Sequence, residues 1–283
     1  MTTQMKGARQ MQYRGQKYNF DLGDSIGGGG MAKVYVGTRH DDPHIQVAIK
    51  IPDTSLDKHV QDLFLREAEA AQMVSSDYVV RVVDWGSAPP FIAFDYIKGE
   101  TLAVLLQRRQ ESEEQWSELE LIHMFRQLVM AMAAINKEVI HRDLKPANIF
   151  VDGDVLKVAD FGIAKYAGEA TRSRTLKGWG TLEYMAPEAF DNGTVDWRAD
   201  QYSLGIVFYE LATLRHPFAN VSPSRQERAR IFKVLPRVRG VRPDIAESLD
   251  EIVAHMLQPR VESRFQSWTN VLAALDAADA GYR

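Results

Sequence analysis

Between residues 141 and 162 the chain reads His141-Arg142-Asp143-Leu144-Lys145-Pro146-Ala147-Asn148 and, after a short apolar interval, Asp160-Phe161-Gly162. An acid, a lysine, an amide and a second acid thus fall within one short stretch. Asp143 can orient a hydroxyl, and Lys145 can neutralise a phosphoryl group in motion. Asn148 and Asp160 can hold a hard cation such as Mg²⁺ through oxygen. That is equipment for phosphoryl transfer, where catalysis is mostly positioning and charge stabilisation. A single Asp or Asn in a loop would read as a turn cap. The ordered set is far more specific than any one of its members.

Several elements must position these groups. Asp152-Gly153 between Ile149-Phe150-Val151 and Val155-Leu156 predicts a hairpin, so the 141–148 loop and Asp160 flank a two-stranded ribbon. Upstream, Ile45, Val47, Ile49 and Ile51 alternate with Gln46, Ala48 and Lys50, which predicts a strand ended by Pro52. Alternation places Ala48 and Lys50 on one face, where a small residue admits a flat base and the ammonium reaches phosphates. The Gly27–Gly30 run would be a linker signal in isolation. Here it lies between two strand-like segments, and glycines there let backbone N–H groups approach phosphate oxygens. A helix is expected from about Leu56 to Val74. Ser117-Glu118-Leu119-Glu120 predicts a capping box, followed by the apolar stripe Leu121, Ile122, Phe125, Leu128, Val129 and Met132.

On these residues the chain resembles the protein kinases, and the resemblance runs along almost its whole length. Ile26 to Tyr35 is similar to the family's glycine-rich loop, with Ala32 at the third glycine position. Val47-Ala48-Ile49-Lys50 is similar to the strand of the phosphate-binding lysine, and Phe64 to Ala68 to the motif of the helix that supplies its partner. Gly180-Thr181, Ala186-Pro187-Glu188, Asp200 to Gly205 and Arg264-Phe265 resemble later landmarks in the family's order. The flavour is that of bacterial members.

The resemblance implies an α+β, two-lobed protein-kinase fold: a small antiparallel-sheet lobe with one helix, and a larger, mainly helical lobe. The expected organisation is a flexible tail over 1–18, the small lobe over 19–97 and the large lobe over 98–283. It implies ATP and Mg²⁺ as cofactors, with Mn²⁺ as a substitute, and serine/threonine transfer to protein substrates, since Lys145 follows Asp143 by two. The catalytic set would be Asp143, Lys145, Lys50 and Glu67. Glu69 lies about 200° around the helix from Glu67 and should face elsewhere. ATP would meet Ile26, Gly27, Gly28, Gly29, Gly30, Val34, Ala48, Lys50 and Phe150. Adenine would meet the backbone from Asp95 to Ile97, with Phe94 behind it and Glu100 in reach of the ribose. Asn148 and Asp160 would bind the metal. His141 is implied as a packing residue, Glu188–Arg264 as a buried ion pair, and Asp200 as a brace for the catalytic loop.

Arg142 before Asp143 marks, in the family, control by phosphorylation of the activation segment. Thr175, Ser173 and Thr171 are the candidate sites, and a phosphate there would gain charge-assisted bonds to Arg142 and Lys165. Similar kinases pair to activate, so a homodimer for trans-autophosphorylation is an expectation. The alternatives are an ATP-binding scaffold without transfer and a small-molecule phosphotransferase. The intact set of ionic residues speaks against the first, and the Gly180-to-Glu188 platform against the second.

Composition agrees with a globular chain. The 283 residues carry net charge −4, 45% hydrophobic and 25% charged residues, which suggests neither nucleic acid nor membrane as partner. With no cysteine, disulfides and thiol catalysis are excluded. No apolar stretch approaches the ~20 residues of a membrane span. A cytoplasmic protein is expected, or the cytosolic domain of a longer anchored one. The basic run from Arg225 to Arg242 (Arg225, Arg228, Arg230, Lys233, Arg237, Arg239, Arg242) reads either as a docking surface for acidic partners or as a solvated helix face and loop.

Overall fold

The computed structural model describes residues 12–29, 32–53, 58–160, 182–190, 195–219, 221 and 235–282. Gly30, Phe161, Gly162, Lys165, Thr171, Ser173, Thr175, Gly180, Thr181, Arg225, Arg228, Arg230 and Lys233 lie outside the described residues.

The first part of the chain is strand-rich. Strands β1 (Gln12–Arg14), β2 (Asn19–Gly29), β3 (Ala32–Arg39), β4 (Gln46–Pro52), β5 (Val82–Ser87) and β6 (Pro90–Asp95) form one antiparallel sheet in the order β1-β2-β3-β4-β6-β5. Helix α1 (Lys58–Met73) interrupts the strands. The predicted alternation in β4 holds for Val47 and Ile49, which are fully buried, while Ile45 lies before the strand and is exposed. Register then separates two faces. Ala48 opposes Val36 and Phe94, and Lys50 opposes Val34 and Ile92, on the face toward α1. Val47, Ile49, Phe91 and Ala93 point the other way, into a second core completed by Tyr13 and Phe20.

That second core corrects the expected tail over residues 12–18, while residues 1–11 lie outside the described residues. Residues 12–14 are strand β1, with Tyr13 buried edge-on against Phe91. The following turn is tied to β5 by Asp84, which is fully buried. Its carboxylate accepts backbone N–H groups from Gln16 (3.1 Å), Lys17 (2.8 Å), Tyr18 (2.8 Å) and Trp85 (2.9 Å). Gly15 is required by this closeness, because a Cβ there would lie 2.3 Å from the carboxylate. The turn also reaches β5 through the Gln16 N–H to the Trp85 carbonyl, 3.1 Å, so the far edges of the sheet meet.

The rest is mainly helical. A three-stranded sheet of β7 (Glu100–Thr101), β8 (Ile149–Asp152) and β9 (Val155–Val158) carries the predicted hairpin, with Gly153 in the left-handed region at φ 61°. Helices α2 (Leu102–Ser112), α3 (Glu118–Ile135), α4 (Arg198–Thr213), α5 (Glu247–Met256) and α6 (Trp268–Tyr282) surround one large core. Both bonds of the predicted box cap α3, and all six residues of its predicted stripe are buried. The box also holds the Glu120 carboxyl below its ordinary range, first through the Ser117 hydroxyl. Helix α4 is buried from Ala199 to Thr213, so it is central rather than amphipathic. Phe208 stacks on Phe125 of α3 at 3.7 Å. The large core also contains Phe64, Ala68 and Ala71 of α1, so the helix of the strand-rich part shares it. No helix among the described residues is long and apolar enough to cross a membrane.

Candidate active site

The loop before β8 folds onto Asp143. Lys145 Nζ reaches Asp143 Oδ2 at 2.9 Å, and Asn148 Nδ2 donates to the same oxygen at 3.2 Å and to the Asp143 carbonyl at 2.8 Å. Acid, lysine and amide therefore meet at one point. Both hydrogen-bonded contacts of the Asn148 amide use its nitrogen, which turns its oxygen to other work. A short 3-10 turn, Pro146–Asn148, sets this geometry, with Pro146 at its first position.

The loop is fixed from beneath by Asp200, fully buried at the start of α4. Its Oδ2 accepts from the His141 N–H and from Asn136 Nδ2, both at 2.7 Å, and its Oδ1 accepts from the Arg142 N–H at 2.8 Å. Asn136 in turn accepts from Trp268 Nε1 at 3.0 Å, which links the loop to α6. This grip holds Arg142 in the left-handed region, φ 63°, a conformation costing about 1–3 kcal/mol for a non-glycine residue. His141 is fully buried, with Nε2 3.0 Å from the Ala159 carbonyl. Loop and β9 thereby stay in register.

Beyond β9, Asp160 is also left-handed, φ 59°, and its Oδ1 forms an ion pair with Lys50 Nζ. The pair joins the two sheets across 110 residues of sequence. Lys50 is 15% exposed and Asp160 46%, so one partner is held in the fold and the other faces open space. The expected Lys50 partner, Glu67, lies in α1, where the structure describes its backbone alone. Val34, Ala48 and Phe94 line the same face as Lys50, and Phe150 and Ile97 pack at the rim of the large core. Gly27 to Gly29 belong to β2 itself, opposite Val34, Lys33 and Ala32. A Cβ at Gly27 would meet nothing within 4 Å, so the described fold does not itself demand glycine there. Ile26 is 49% exposed on the same strand.

The scaffold residues take the expected positions. Arg264 forms two 2.7 Å bonds to Glu188 and further bonds to the carbonyls of Arg198, Gln258 and Pro259, with Tyr202 under its guanidinium. In the basic run, Arg237 pairs with Asp250, Arg239 with Glu247 and Arg242 with Asp244. For the exposed Arg237 and Arg239 this favours the solvated-face reading over a docking surface, whereas Arg242 is buried and also donates to the Ala212 carbonyl, so it belongs to neither reading. Glu100 is bound by Arg108 rather than left free for a ribose.

Sequence reasoning missed three features. Asp84 is one, and the Arg81–Asp95 pair is another. The third is the Tyr184 hydroxyl, which donates to Glu210 Oε2 at 2.5 Å. Burial pushes the Glu210 carboxyl up to about 7, with the Tyr184 bond opposing and Glu183 adding. Burial, then the negative charge of Glu210, pushes the Tyr184 hydroxyl upward too. A carboxylate in the middle of an otherwise apolar helix, Ile206 to Leu211, was the available signal for Glu210.

A metal fits this site through its donor chemistry. Asn148 and Asp160 offer oxygen, and among the described residues no group of three or more His, Cys, Asp or Glu could hold a metal alone. A cation here would take its remaining ligands from phosphate and water, as a hard ion such as Mg²⁺ does.

Comparison with known proteins identifies the family and the fold. Residues 20–274 match the family described as "Protein kinase domain". The chain is 33% identical over 273 residues to a probable serine/threonine-protein kinase of Streptomyces coelicolor, covering 91% of this chain and 39% of that protein. It is 32% identical over 278 residues to the serine/threonine-protein kinase PknB of Mycobacterium leprae, covering 93% and 43%. The chain thus spans about two fifths of the length of these relatives. In three dimensions it resembles the crystal structure of the Mycobacterium tuberculosis PknI kinase domain, with a TM-score of 0.71, 24% identity and coverage of 97% of this chain and all of that one. Match, relatives and architecture agree: the chain belongs to the protein kinase domain family.

Proposed function

We propose that this chain transfers the γ-phosphate of ATP to serine and threonine hydroxyls of proteins. The observation that carries the reading is the convergence of Lys145 and Asn148 on one oxygen of Asp143, next to the Lys50–Asp160 pair. In this reading Asp143 orients the incoming hydroxyl in line and accepts its proton late, while Lys145 steadies the departing phosphoryl group. Lys50 holds the α- and β-phosphates and leans on Glu67 once nucleotide draws it from Asp160. Gly27 to Gly30 present backbone N–H groups to phosphate, where a Cβ would stand in the way. Asn148 and Asp160 would hold Mg²⁺, or Mn²⁺, which supplies neutralisation of phosphate charge when bound. Adenine lies against Ala48, Val34 and Phe150, hydrogen-bonded to the backbone from Asp95 to Ile97 and closed off behind by Phe94. The two lobes divide near Ile97, and phosphate on Thr175, Ser173 or Thr171 orders the activation segment through Arg142 and Lys165. Modification in trans by a second copy would supply that phosphate. The chain would work in the cytoplasm, alone or as part of a longer anchored protein.

Mass spectrometry after incubation with MgATP and a mixture of serine- and threonine-containing peptides tests this, with wild type and Asp143→Asn expressed separately. Phosphate on the peptides, and on Thr175 or Ser173 of the chain, is expected from wild type alone. Nucleotide binding without phosphate on either would favour a scaffold. Phosphate on a small hydroxyl compound but never on peptide would favour a small-molecule enzyme.

A further inference from the structure

The chain leaves the six-stranded sheet after Asp95 and joins the three-stranded sheet at Glu100. Residues 96–99 cross between them, and an arginine fork grips each end. Before the crossing, Arg81 Nε and Nη2 donate to Asp95 Oδ2 and Oδ1, both at 3.0 Å. The Asp95 N–H also donates to the Arg81 carbonyl at 3.0 Å, so main chain and side chain of one residue hold both halves of the other. After the crossing, Arg108 of α2 reaches Glu100 with Nη1 to Oε2 at 3.1 Å and Nη2 to Oε1 at 2.7 Å. Two parallel bonds fix direction as well as distance, which a single point charge does not.

Strand alternation sets the faces. Asp95 opposes Val47, so its carboxylate lies on the side away from Ala48, Lys50 and Phe94. Glu100 opposes Val151 and Thr101 opposes Phe150, so the Glu100 carboxylate lies away from Phe150. Neither acid looks toward the proposed adenine wall, yet they end the backbone segment that would meet it. The crossing is pressed onto β8 as well: a Cβ on Gly99 would lie 1.8 Å from the Val151 carbonyl oxygen. Four residues bridge at most about 14 Å, so slack at either end displaces the whole segment.

Stability does not account for the forks. Arg81 is 71% exposed and Arg108 60%, and ion pairs of that kind contribute little to folding. We propose that Arg81 and Arg108 are positioning residues for nucleotide binding, two forks that fix the backbone of residues 95–97 where it receives adenine. The inference rests on the reading that adenine binds there.

The test measures the affinity for Mg·ADP by calorimetry, KM for ATP and kcat with a serine/threonine peptide mixture, and amide exchange of residues 96–99 without nucleotide. It compares wild type with the double variant Arg81→Gln/Arg108→Gln and with Arg81→Lys/Arg108→Lys. In the glutamine variant the Kd for Mg·ADP and KM for ATP are expected to rise roughly fivefold, as two exposed pairs allow. Its kcat at saturating ATP is expected to stay unchanged, and exchange over 96–99 to quicken. The lysine variant, keeping charge but not the fork, should fall between. Unchanged Kd and KM despite faster exchange would overturn the positioning role. A fall in kcat alone would overturn it too. If wild type does not bind Mg·ADP, the adenine reading itself fails and takes this role with it, while the exchange data still show whether the forks hold the segment.

Discussion

Two turns, one in the strand-rich part and one in the helical part of the described fold, are built around a fully buried aspartate that gathers backbone N–H groups. Asp200 gathers those of His141 and Arg142, and Asp84 those of Gln16, Lys17, Tyr18 and Trp85. Each fixes a chain segment that has no regular structure of its own. The difference lies in what the segment carries. The turn above Asp200 holds Arg142 in a costly left-handed conformation and aims Asp143. The turn above Asp84 closes a sheet and carries none of the groups proposed to do chemistry. One device serves aim in one place and closure in the other.

The largest expected effect separates these uses. Asp200→Asn keeps the size but replaces one acceptor oxygen by a donor facing an N–H. It is expected to cost about 2–3 kcal/mol of stability and roughly 100-fold in kcat, because a shift of about 1 Å at Asp143 is enough for that. Denaturant unfolding and peptide phosphorylation check the two numbers. Asp84→Asn faces four N–H groups and should lose a similar 2–3 kcal/mol, but kcat at saturating ATP should stay within about threefold of wild type. Equal losses of kcat in the two variants would dissolve the distinction.

A smaller effect is expected at Glu210, a third buried acid, which meets a hydroxyl instead of backbone amides. Its folded pKa of about 7 lies above the ordinary 4.5. Below 4.5 the group is protonated in both states. From there to about 7 the native state keeps a proton that the unfolded chain releases, so stability declines as pH rises through this window. Glu210→Gln removes that decline. Its Tm relative to wild type should therefore improve by a few degrees between pH 5 and pH 8, and a constant difference would count against the shift.

The same pair of turns shows what was legible in the sequence. Asp200 announced itself because Asp-Gln-Tyr-Ser-Leu-Gly stands in order behind the other motifs. Asp84 sits in Val-Val-Asp-Trp-Gly, where nothing local distinguishes a buried acceptor from a solvated strand residue. Its partners lie 66 to 68 residues away, except for Trp85. The α3 cap and stripe were readable because both are local, within one or a few turns of helix. The arginine forks were not, since each acid could have faced either side of its strand until register was known. The tail was misread for a related reason: three residues of β1 are too short for a periodic signal, and they become a strand by pairing with β2.

The family resemblance begins at residue 20, whereas the small second core draws on Tyr13. A unit cut at the border of resemblance and moved into another protein would arrive with a seam open. Phe91 would lose Tyr13 and Phe20 would lose Tyr18 as edge-on neighbours, and Asp84 would face the gap without three of its four amides. The portable piece of this chain therefore starts no later than Gln12, and the border set by kinship and the border set by packing are different lines.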